Sequence, residues 1–225
     1  MKKISTTPTI EEYLEAIYIM TSESAPVISA RLAERQGVTA PTMTDTLKRL
    51  IKAGYVSLND RKEISLTALG LSVAEALVRR HRLSERWLTD VLGLDWCKAH
   101  EEACKLEHAI SAEVEERLSR ALDHPSTCPH GNPIPGIGPA VSESSICLEH
   151  VAVGAKVVIE RVSEAGEEDP RLLEYLQRHG LKPGVALTVA EVAPWAGTIT
   201  LRNAEQTVTL GLQAAGHIWV QPVGI

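Results

Sequence analysis

The hydrophobic positions of the first seventy residues repeat as in helices and then alternate as in strands. TIEEYLEAIYIM places apolar side chains three and four residues apart, which predicts an amphipathic helix. Two more helices are predicted, in VISARLAERQGV with Ser29 as N-cap and in TAPTMTDTLKRLIKAG with Thr39 as N-cap and Pro41 in its first turn. YVSLNDRKEISL then predicts two short strands around Asn59 and Asp60. This succession is typical of a winged helix-turn-helix.

The third predicted helix has a polar outer face. The side chains expected there are Thr39, Pro41, Thr42, Thr44, Asp45 and Lys48. Arg49, Arg61 and Lys62 are placed to meet phosphates in the same geometry. A three-helix cluster with an ordinary solvated face would show the same pattern, so this pattern alone leaves DNA binding open.

The next segment is helical and unusually apolar on one side. LTALGLSVAEALVRRHRLSERWLTDVLG predicts a helix over about 66–93, and DWCKAHEEACKLEHAISAEVEERLSRAL continues the pattern with Asp95 as N-cap and a break near Ser111. Two helices with this much apolar surface need a partner. We therefore expect a homodimer, the usual arrangement of helix-turn-helix proteins that read two half-sites.

The last segment reads as strands that follow a proline-rich linker. Five of the twelve prolines lie in residues 123–145. Five short alternating stretches and one helix, EDPRLLEYLQRHG, follow and fit an SH3-like β-barrel. The predicted fold class is mainly α with β. Its domains are a winged helix-turn-helix over 1–73, a helical dimerisation and metal-binding domain over 74–141, and an SH3-like, FeoA-like domain over 142–225.

Charge and composition narrow the choice of partners. The net charge is −6, but residues 1–73 hold nine Lys/Arg and eight Asp/Glu, so only this third is suited to DNA. No apolar run approaches the ~18–20 residues of a membrane helix, and MKKISTTPTIEEY has no apolar signal core. We expect a cytoplasmic protein without a membrane partner. Four cysteines without CxxC spacing do not predict a disulfide framework.

Six potential metal ligands lie on the two central helices. They are His81, Glu85, His100, Cys104, Glu107 and His108. On a helix at ~100° per residue, the last four fall within a sector of roughly 100°, and the first two are one turn apart. Each residue alone would most often be solvated or simply buried. Imidazole, carboxylate and thiolate together are the ligand types of divalent first-row transition metals, and the set therefore predicts a metal site.

HRLSERWLTDVLGLD, HEEACKLEHAISAEVEERL and CPHGNPIP resemble the diphtheria toxin repressor family of metal-dependent transcription regulators. The family includes iron-dependent regulators and manganese transport regulators, and the resemblance covers nearly the whole chain. It implies a metal-dependent regulator, most simply a repressor controlling metal homeostasis, that binds double-stranded palindromic operator DNA as a homodimer. It also implies DNA contacts at Pro41 and Thr42, while Asp45 stands where the toxin repressor has a base-contacting glutamine.

The resemblance implies an ancillary metal site and its ligands. The family's His and Glu of the H-R-L-x-E-R motif match His81 and Glu85, and the His that opens the later helix matches His100. A carboxylate from the SH3-like domain completes this site in the iron regulators. The alignment places it near Asp169, where Glu168 or Asp169 is expected to supply the carboxylate, and the glutamine that follows in the iron regulators is replaced by Leu172.

The resemblance also implies a primary, regulatory site. Its ligands match Cys104, Glu107, His108 and, from the first helix, Glu12. Iron regulators carry a methionine at the last position and manganese regulators a carboxylate. A hard, anionic carboxylate suits Mn(II), whereas the thiol of Cys104 follows the iron pattern. We expect Mn(II) as the activating metal, Fe(II) as the alternative, and Zn(II), Co(II) or Cd(II) as substitutes in vitro.

Two other classes of protein remain open at this point. A dinuclear metalloenzyme could use the same helix pair, but the sequence offers no assigned nucleophile or separate general base and would leave the winged helix unexplained. A structural zinc protein would unfold on chelation, and it would ordinarily use cysteines at CxxC spacing. We therefore expect that the protein is not an enzyme.

Overall fold

The computed structural model describes residues 6–23, 26–139, 141–142 and 144–223. The chain divides into two compact units, one up to Arg80 and the other from His81 onward. The helix α4, Ala68–Arg86, begins in the first unit and ends in the second. Each unit has its own buried core.

The first unit is the expected winged helix-turn-helix. Its other elements are α1 (Pro8–Ser22), α2 (Ser29–Arg35), α3 (Ala40–Lys52), β1 (Val56–Leu58) and β2 (Ile64–Leu66). The strands β1 and β2 form the antiparallel wing. Leu14, Ile17 and Met43 are fully buried, as the helical period requires. Ser29 is wrongly predicted as the N-cap of α2, because it is the first helical residue and Ile28 precedes it as the cap.

The second unit begins with helices. The elements are the end of α4, a π-helical turn over Trp87–Val91, α5 (Trp96–Leu106) and α6 (Ala112–Ala121). Asp95 caps α5 as predicted, because its side chain accepts a hydrogen bond of 2.8 Å from Lys98 N. α5 ends at Leu106, so Glu107 is its C-cap and His108 lies in the turn beyond it.

The SH3-like part of the second unit is a six-stranded antiparallel sheet. Its elements are β3 (Ile146–Cys147), β4 (Lys156–Val162), α7 (Glu164–Glu167), α8 (Pro170–Arg178), β5 (Ala186–Ala193), β6 (Thr198–Arg202), β7 (Thr207–Gly211), α9 (Leu212–Ala215) and β8 (Ile218–Pro222). The strand order is β3-β8-β4-β5-β6-β7. The two-residue β3 and the one-turn helices α7 and α9 are too short to give a periodic signal. Val157, Leu173 and Val220 lie in its core.

Part of the proline-rich segment is bound to β4 rather than running free. His130 O accepts a hydrogen bond of 2.9 Å from Val162 N, and Asn132 Nδ2 donates one of 2.8 Å to Val162 O. Gly131 has φ +94°, and a Cβ there would lie 2.1 Å from Glu160 O. Only glycine fits this close approach. The loop over 127–134 is therefore fixed beside α7.

Candidate functional site

Three of the predicted ligands come together between α4 and α5. His81 Nε2 lies 3.1 Å from Glu85 Oε1, and His100 Nδ1 lies 2.9 Å from the same oxygen. Glu85 is completely buried. The helical spacing of His81 and Glu85 places them one turn apart on α4, while α5 supplies the third side chain.

A carboxylate from the SH3-like part joins them, but it is neither of the two predicted ones. Glu167 on α7 has its Oε2 3.8 Å from His100 Nδ1. Glu168 is exposed at the C-cap of α7. Asp169 caps α8 instead, since its side chain accepts from Arg171 N at 3.0 Å. His81, Glu85, His100 and Glu167 each offer a ligand atom within 4.8 Å of the others.

Cys128 and His130, in the loop over 127–134, are two residues that the sequence analysis did not assign to the site. His130 Nδ1 lies 3.4 Å from Glu85 Oε1 and 3.4 Å from Glu167 Oε1. Cys128 Sγ lies 3.8 Å from His130 Nδ1 and 3.9 Å from Glu167 Oε1. All four side chains are buried. The Cys-Pro-His spacing in CPHGNPIP was the available signal, but it lies in a stretch that reads as linker.

Buried polar groups hold the two segments that carry these ligands. Asn132 Nδ2 donates to Glu167 Oε1 as well as to Val162 O. The guanidinium of Arg82 donates to the carboxylate of Glu164 and to Pro133 O. α4 is thereby connected to both the loop and α7, independently of any ligand to an ion. Such contacts orient the donors around a metal.

The imidazoles and carboxylates of this cluster shift one another's pKa values. Burial lowers the pKa of His81 and His130, but neighbouring carboxylates outweigh it and raise both pKa values well above 6.5. Burial lowers the pKa of His100 too, yet hydrogen bonds to Cys104 and Glu85 bring that pKa to about 10. Burial raises the pKa of Glu85, but the charges of His130 and His81 hold it well below 4.5. A divalent cation can therefore replace protons here without leaving the carboxylates unpaired.

The residues predicted for the primary site lie at and beyond the end of α5. Glu107 Oε1 is 3.4 Å from His108 Nε2, and Glu107 Oε2 is 2.6 Å from His81 Nδ1. Cys104 is exposed and its Sγ lies 4.0 Å from His100 Nε2. Burial raises the pKa of Cys104, but hydrogen bonds to His100 and His81 lower it below 9.0 overall. Glu12 is exposed on α1 of the first unit.

His81 therefore contacts members of both predicted sites. Its Nε2 faces Glu85 and its Nδ1 faces Glu107. A histidine that binds a metal through one ring nitrogen commonly donates from the other to a carboxylate, which fixes its tautomer and orientation. One imidazole can thus transmit the state of one site to the other.

The predicted DNA-facing residues lie on an exposed surface. Thr39 caps α3 through a 3.4 Å hydrogen bond from Thr42 N. Asp45 and Lys48 form an ion pair of 3.1 Å with both side chains about three-quarters exposed, 75% and 71%. The remaining predicted contacts, all exposed, are Pro41, Thr44, Arg49, Arg61 and Lys62. A helix-turn-helix of this form presents such a face to the major groove.

A winged helix-turn-helix in the same chain as a buried cluster of imidazole, thiol and carboxylate groups defines a metal-responsive DNA-binding regulator. The chain matches the iron-dependent repressor N-terminal DNA-binding domain over residues 5–64, the iron-dependent repressor metal-binding and dimerisation domain over 67–136, and the FeoA domain over 146–222. It belongs to the iron-dependent repressor family, of which the diphtheria toxin repressor is a member.

Relatives and solved structures cover most of the chain. The iron-dependent repressor IdeR of Mycobacterium leprae is 35% identical over 225 residues, which are 96% of this chain and 97% of the relative. The diphtheria toxin repressor of Corynebacterium diphtheriae is 39% identical over 172 residues, 75% of this chain and 71% of its own. A manganese-dependent transcriptional repressor in complex with manganese is 34% identical, covers 95% of this chain and all of its own, and has a TM-score of 0.83.

The protein is a metal-dependent transcriptional repressor and not an enzyme, as the sequence indicated. Its family binds operator DNA and dimerises. None of the helices in the described part of the chain has the length and apolar character needed to span a membrane.

Proposed function

We propose that this protein is a manganese-activated repressor that binds a palindromic operator as a homodimer and controls metal homeostasis. The observation that carries the metal assignment is the carboxylate of Glu12 at the position where iron regulators have a thioether. Mn(II) is a hard cation and lies at the weak end of the divalent series, so it gains from an anionic oxygen donor. Solved structures similar to this chain include a manganese-dependent transcriptional repressor and the manganese regulator SloR, which supports this choice.

Glu12, Cys104, Glu107 and His108 are proposed to hold the primary ion. Mn(II) supplies a dipositive charge and coordination positions for oxygen and nitrogen donors. Glu107 is buried beside His108, so these two donors are already close together. Glu12 belongs to the DNA-binding unit, and its participation would link the spacing of the recognition helices to metal occupancy. Metal and DNA affinity then rise together, by ~1–3 kcal/mol of coupling.

His81, Glu85 and His100 are proposed as the ancillary ligands, with Glu167 as the carboxylate from the SH3-like part in place of Glu168 or Asp169. The chemistry of these side chains fits a divalent ion: two imidazoles and two carboxylates. Within the described ranges, buried Glu85 Oε2 has no hydrogen-bond partner, and it is therefore available as a ligand atom.

An Fe(II)-dependent regulator is the second candidate function. Cys104 favours it, because a thiolate is a softer donor than manganese prefers. The relative IdeR is named an iron-dependent repressor, and the family models that match this chain over residues 5–64 and 67–136 are those of iron-dependent repressors. Zn(II), Co(II) and Cd(II) are expected to bind in vitro; structures of the related regulator ScaR contain Zn²⁺ or Cd²⁺.

Operator binding in the presence of each metal tests the proposal. Fluorescence anisotropy with a palindromic operator, titrated with Mn(II) or anaerobically with Fe(II), is expected to show activation by Mn(II) at lower free concentration. Glu12→Met is expected to shift the preference towards Fe(II). Glu11→Met, a matched change one residue earlier on α1, is the control and should keep the wild-type order. A strong Fe(II) preference of the unaltered protein would reject the manganese assignment, and unchanged metal dependence of Glu12→Ala would reject the role of Glu12.

A further inference from the structure

Six donors meet in the buried cluster, and they form two groups that share two members. One group is His81, Glu85, His100 and Glu167, and the other is Glu85, Cys128, His130 and Glu167. Within each group, ligand atoms lie within 4.8 Å of one another, which is close to the spread of donors around a single ion. The shared members are the two carboxylates. Each group keeps two further donors of its own.

The carboxylate of Glu167 is turned so that each oxygen faces a different group. Oε1 lies 3.4 Å from His130 Nδ1 and 3.9 Å from Cys128 Sγ. Oε2 lies 3.8 Å from His100 Nδ1. A carboxylate with one oxygen on each side is the arrangement that bridges two metal ions, which stand ~3.5–4 Å apart in two-metal sites.

Glu85 also meets a requirement of a bridging ligand, because one of its carboxylate oxygens is available to a metal ion. Its Oε1 lies between the three imidazoles, at 3.1 Å from His81, 2.9 Å from His100 and 3.4 Å from His130. Its Oε2 is buried and, among the residues described, has no hydrogen-bond partner. Leaving a carboxylate oxygen unpaired in the interior is costly unless a cation binds it.

The charges of the donors and of their neighbours are also compatible with two cations. Of the other buried carboxylates, Glu164 is neutralised by Arg82, and Glu107 lies 2.6 Å from His81 Nδ1. Glu85, Glu167 and a metal-bound thiolate of Cys128 together carry three negative charges. One divalent ion would leave a net charge of about −1 and two would leave about +1, so a second cation leaves no larger net charge in the buried site than the first.

We propose that the cluster is a dinuclear site for divalent first-row transition metals, in which Glu85 and Glu167 bridge one ion held by His81 and His100 to a second ion held by Cys128 and His130. This inference rests on the proposed metal-dependent function and adds a second ion to its ancillary site. The thiolate makes the second position softer than the first.

Two readouts on the purified protein test the site without DNA. The first is electron paramagnetic resonance of the Mn(II)-loaded wild type. An exchange-coupled Mn(II) pair is expected, and Glu167→Gln should convert it to isolated ions. Only isolated Mn(II) signals in the wild type at saturation would overturn the proposal. Because this experiment uses the unaltered protein, it does not depend on whether a variant folds.

The second readout is the thiolate-to-metal absorption of the Co(II)-loaded protein. Cys104→Ser serves as the background, since Cys104 is itself a proposed ligand elsewhere. This variant is expected to keep a thiolate–Co(II) band, and Cys104→Ser with Cys128→Ser should lose the band and about one bound ion per chain. Cys104→Ser with Cys97→Ser is the matched control and should keep both. A band that is absent from the background variant, or a double variant that keeps its full metal content, would overturn the second position.

The outcomes separate this proposal from the proposed function. Isolated ions together with intact metal-dependent operator binding would reject only the dinuclear site. An exchange-coupled Mn(II) pair in a protein whose operator binding does not depend on metal would reject only the proposed function.

Discussion

The cluster around Glu85 and the group around Glu107 contain the same kinds of side chain, but they differ in burial and in the units that supply their donors. Glu85 is surrounded by donors from α4, α5, α7 and the loop over 127–134, all within one compact unit and almost all buried. Cys104 and His108 are exposed or half-buried at the end of α5, and their proposed fourth partner, Glu12, belongs to the other unit. The first arrangement draws all its donors from one unit, whereas the second is proposed to take its fourth ligand from the other unit. A regulator needs the second kind, because a switch must have two states of similar free energy.

Removing the central carboxylate is expected to give the largest difference between the two regions. Glu85→Gln removes the buried carboxylate that three imidazoles share, so the free energy of unfolding without metal should fall by ~3–5 kcal/mol. Cys104→Ser, in the exposed group, should change it by less than ~0.5 kcal/mol. Urea denaturation of both variants measures the contrast, and Glu101→Gln on the exposed face of α5 is the control. Equal losses for Glu85→Gln and Cys104→Ser would show that the cluster is not a structural unit.

The next largest effect concerns a residue that positions a ligand. Asn132 holds Glu167 to the β4 backbone, and Asn132→Ala is expected to weaken metal binding at the cluster by ~10–100-fold. Binding at the Glu107 group should stay unchanged, since Asn132 contacts none of its members in the described structure. Isothermal titration with Mn(II) resolves the two classes of site. Asn203→Ala, in the turn between β6 and β7, is the matched control. A loss at both sites would mean that Asn132 acts on the whole fold.

The sequence alone was sufficient for most of the architecture and for the part of each site that lies on helices. The period of α1, α3 and α4 predicted the winged helix-turn-helix, and i,i+4 spacing predicted His81 with Glu85, because both signals are local. Cys128 and His130 were missed because their positions depend on a loop held by hydrogen bonds to β4, which is a tertiary contact. Glu167 was missed by one residue, since a single-turn helix has no period from which to read its buried face.

A smaller effect is expected for the connection between the two regions. His81 contacts Glu85 through Nε2 and Glu107 through Nδ1. If this imidazole links the sites, binding at one should favour the other by ~1 kcal/mol, about fivefold in affinity. His81→Gln should abolish this cooperativity. His100→Gln, which alters the cluster without touching Glu107, should weaken the cluster but leave Glu107 able to bind. Sequential Mn(II) titrations measure both, and cooperativity that survives His81→Gln would exclude this route.

Chemical labelling perturbs the protein least, and it compares the two regions by the alkylation rates of Cys104 and Cys128. Burial raises the pKa of Cys128 to about 11, and the charge of Glu167 adds to the effect. Cys104 is more accessible to solvent than Cys128. Partial desolvation of its thiol raises its pKa, but hydrogen bonds to His100 and His81 outweigh this effect and lower the pKa overall. The thiolate is the reactive form, so at pH 8 Cys104 carries a much larger thiolate fraction than Cys128. Iodoacetamide should therefore modify Cys104 first in the metal-free protein, with little reaction at Cys128.

Peptide mapping by mass spectrometry after timed alkylation gives the rate at each position. Raising the pH should accelerate Cys128 more than Cys104, because the higher pKa leaves more thiol to be deprotonated. Mn(II) should protect Cys104 if it is a ligand, and alkylation in urea should bring the two rates together. Equal rates for Cys104 and Cys128 in the native protein would contradict the assignment of Cys104 to an exposed position and of Cys128 to a buried one.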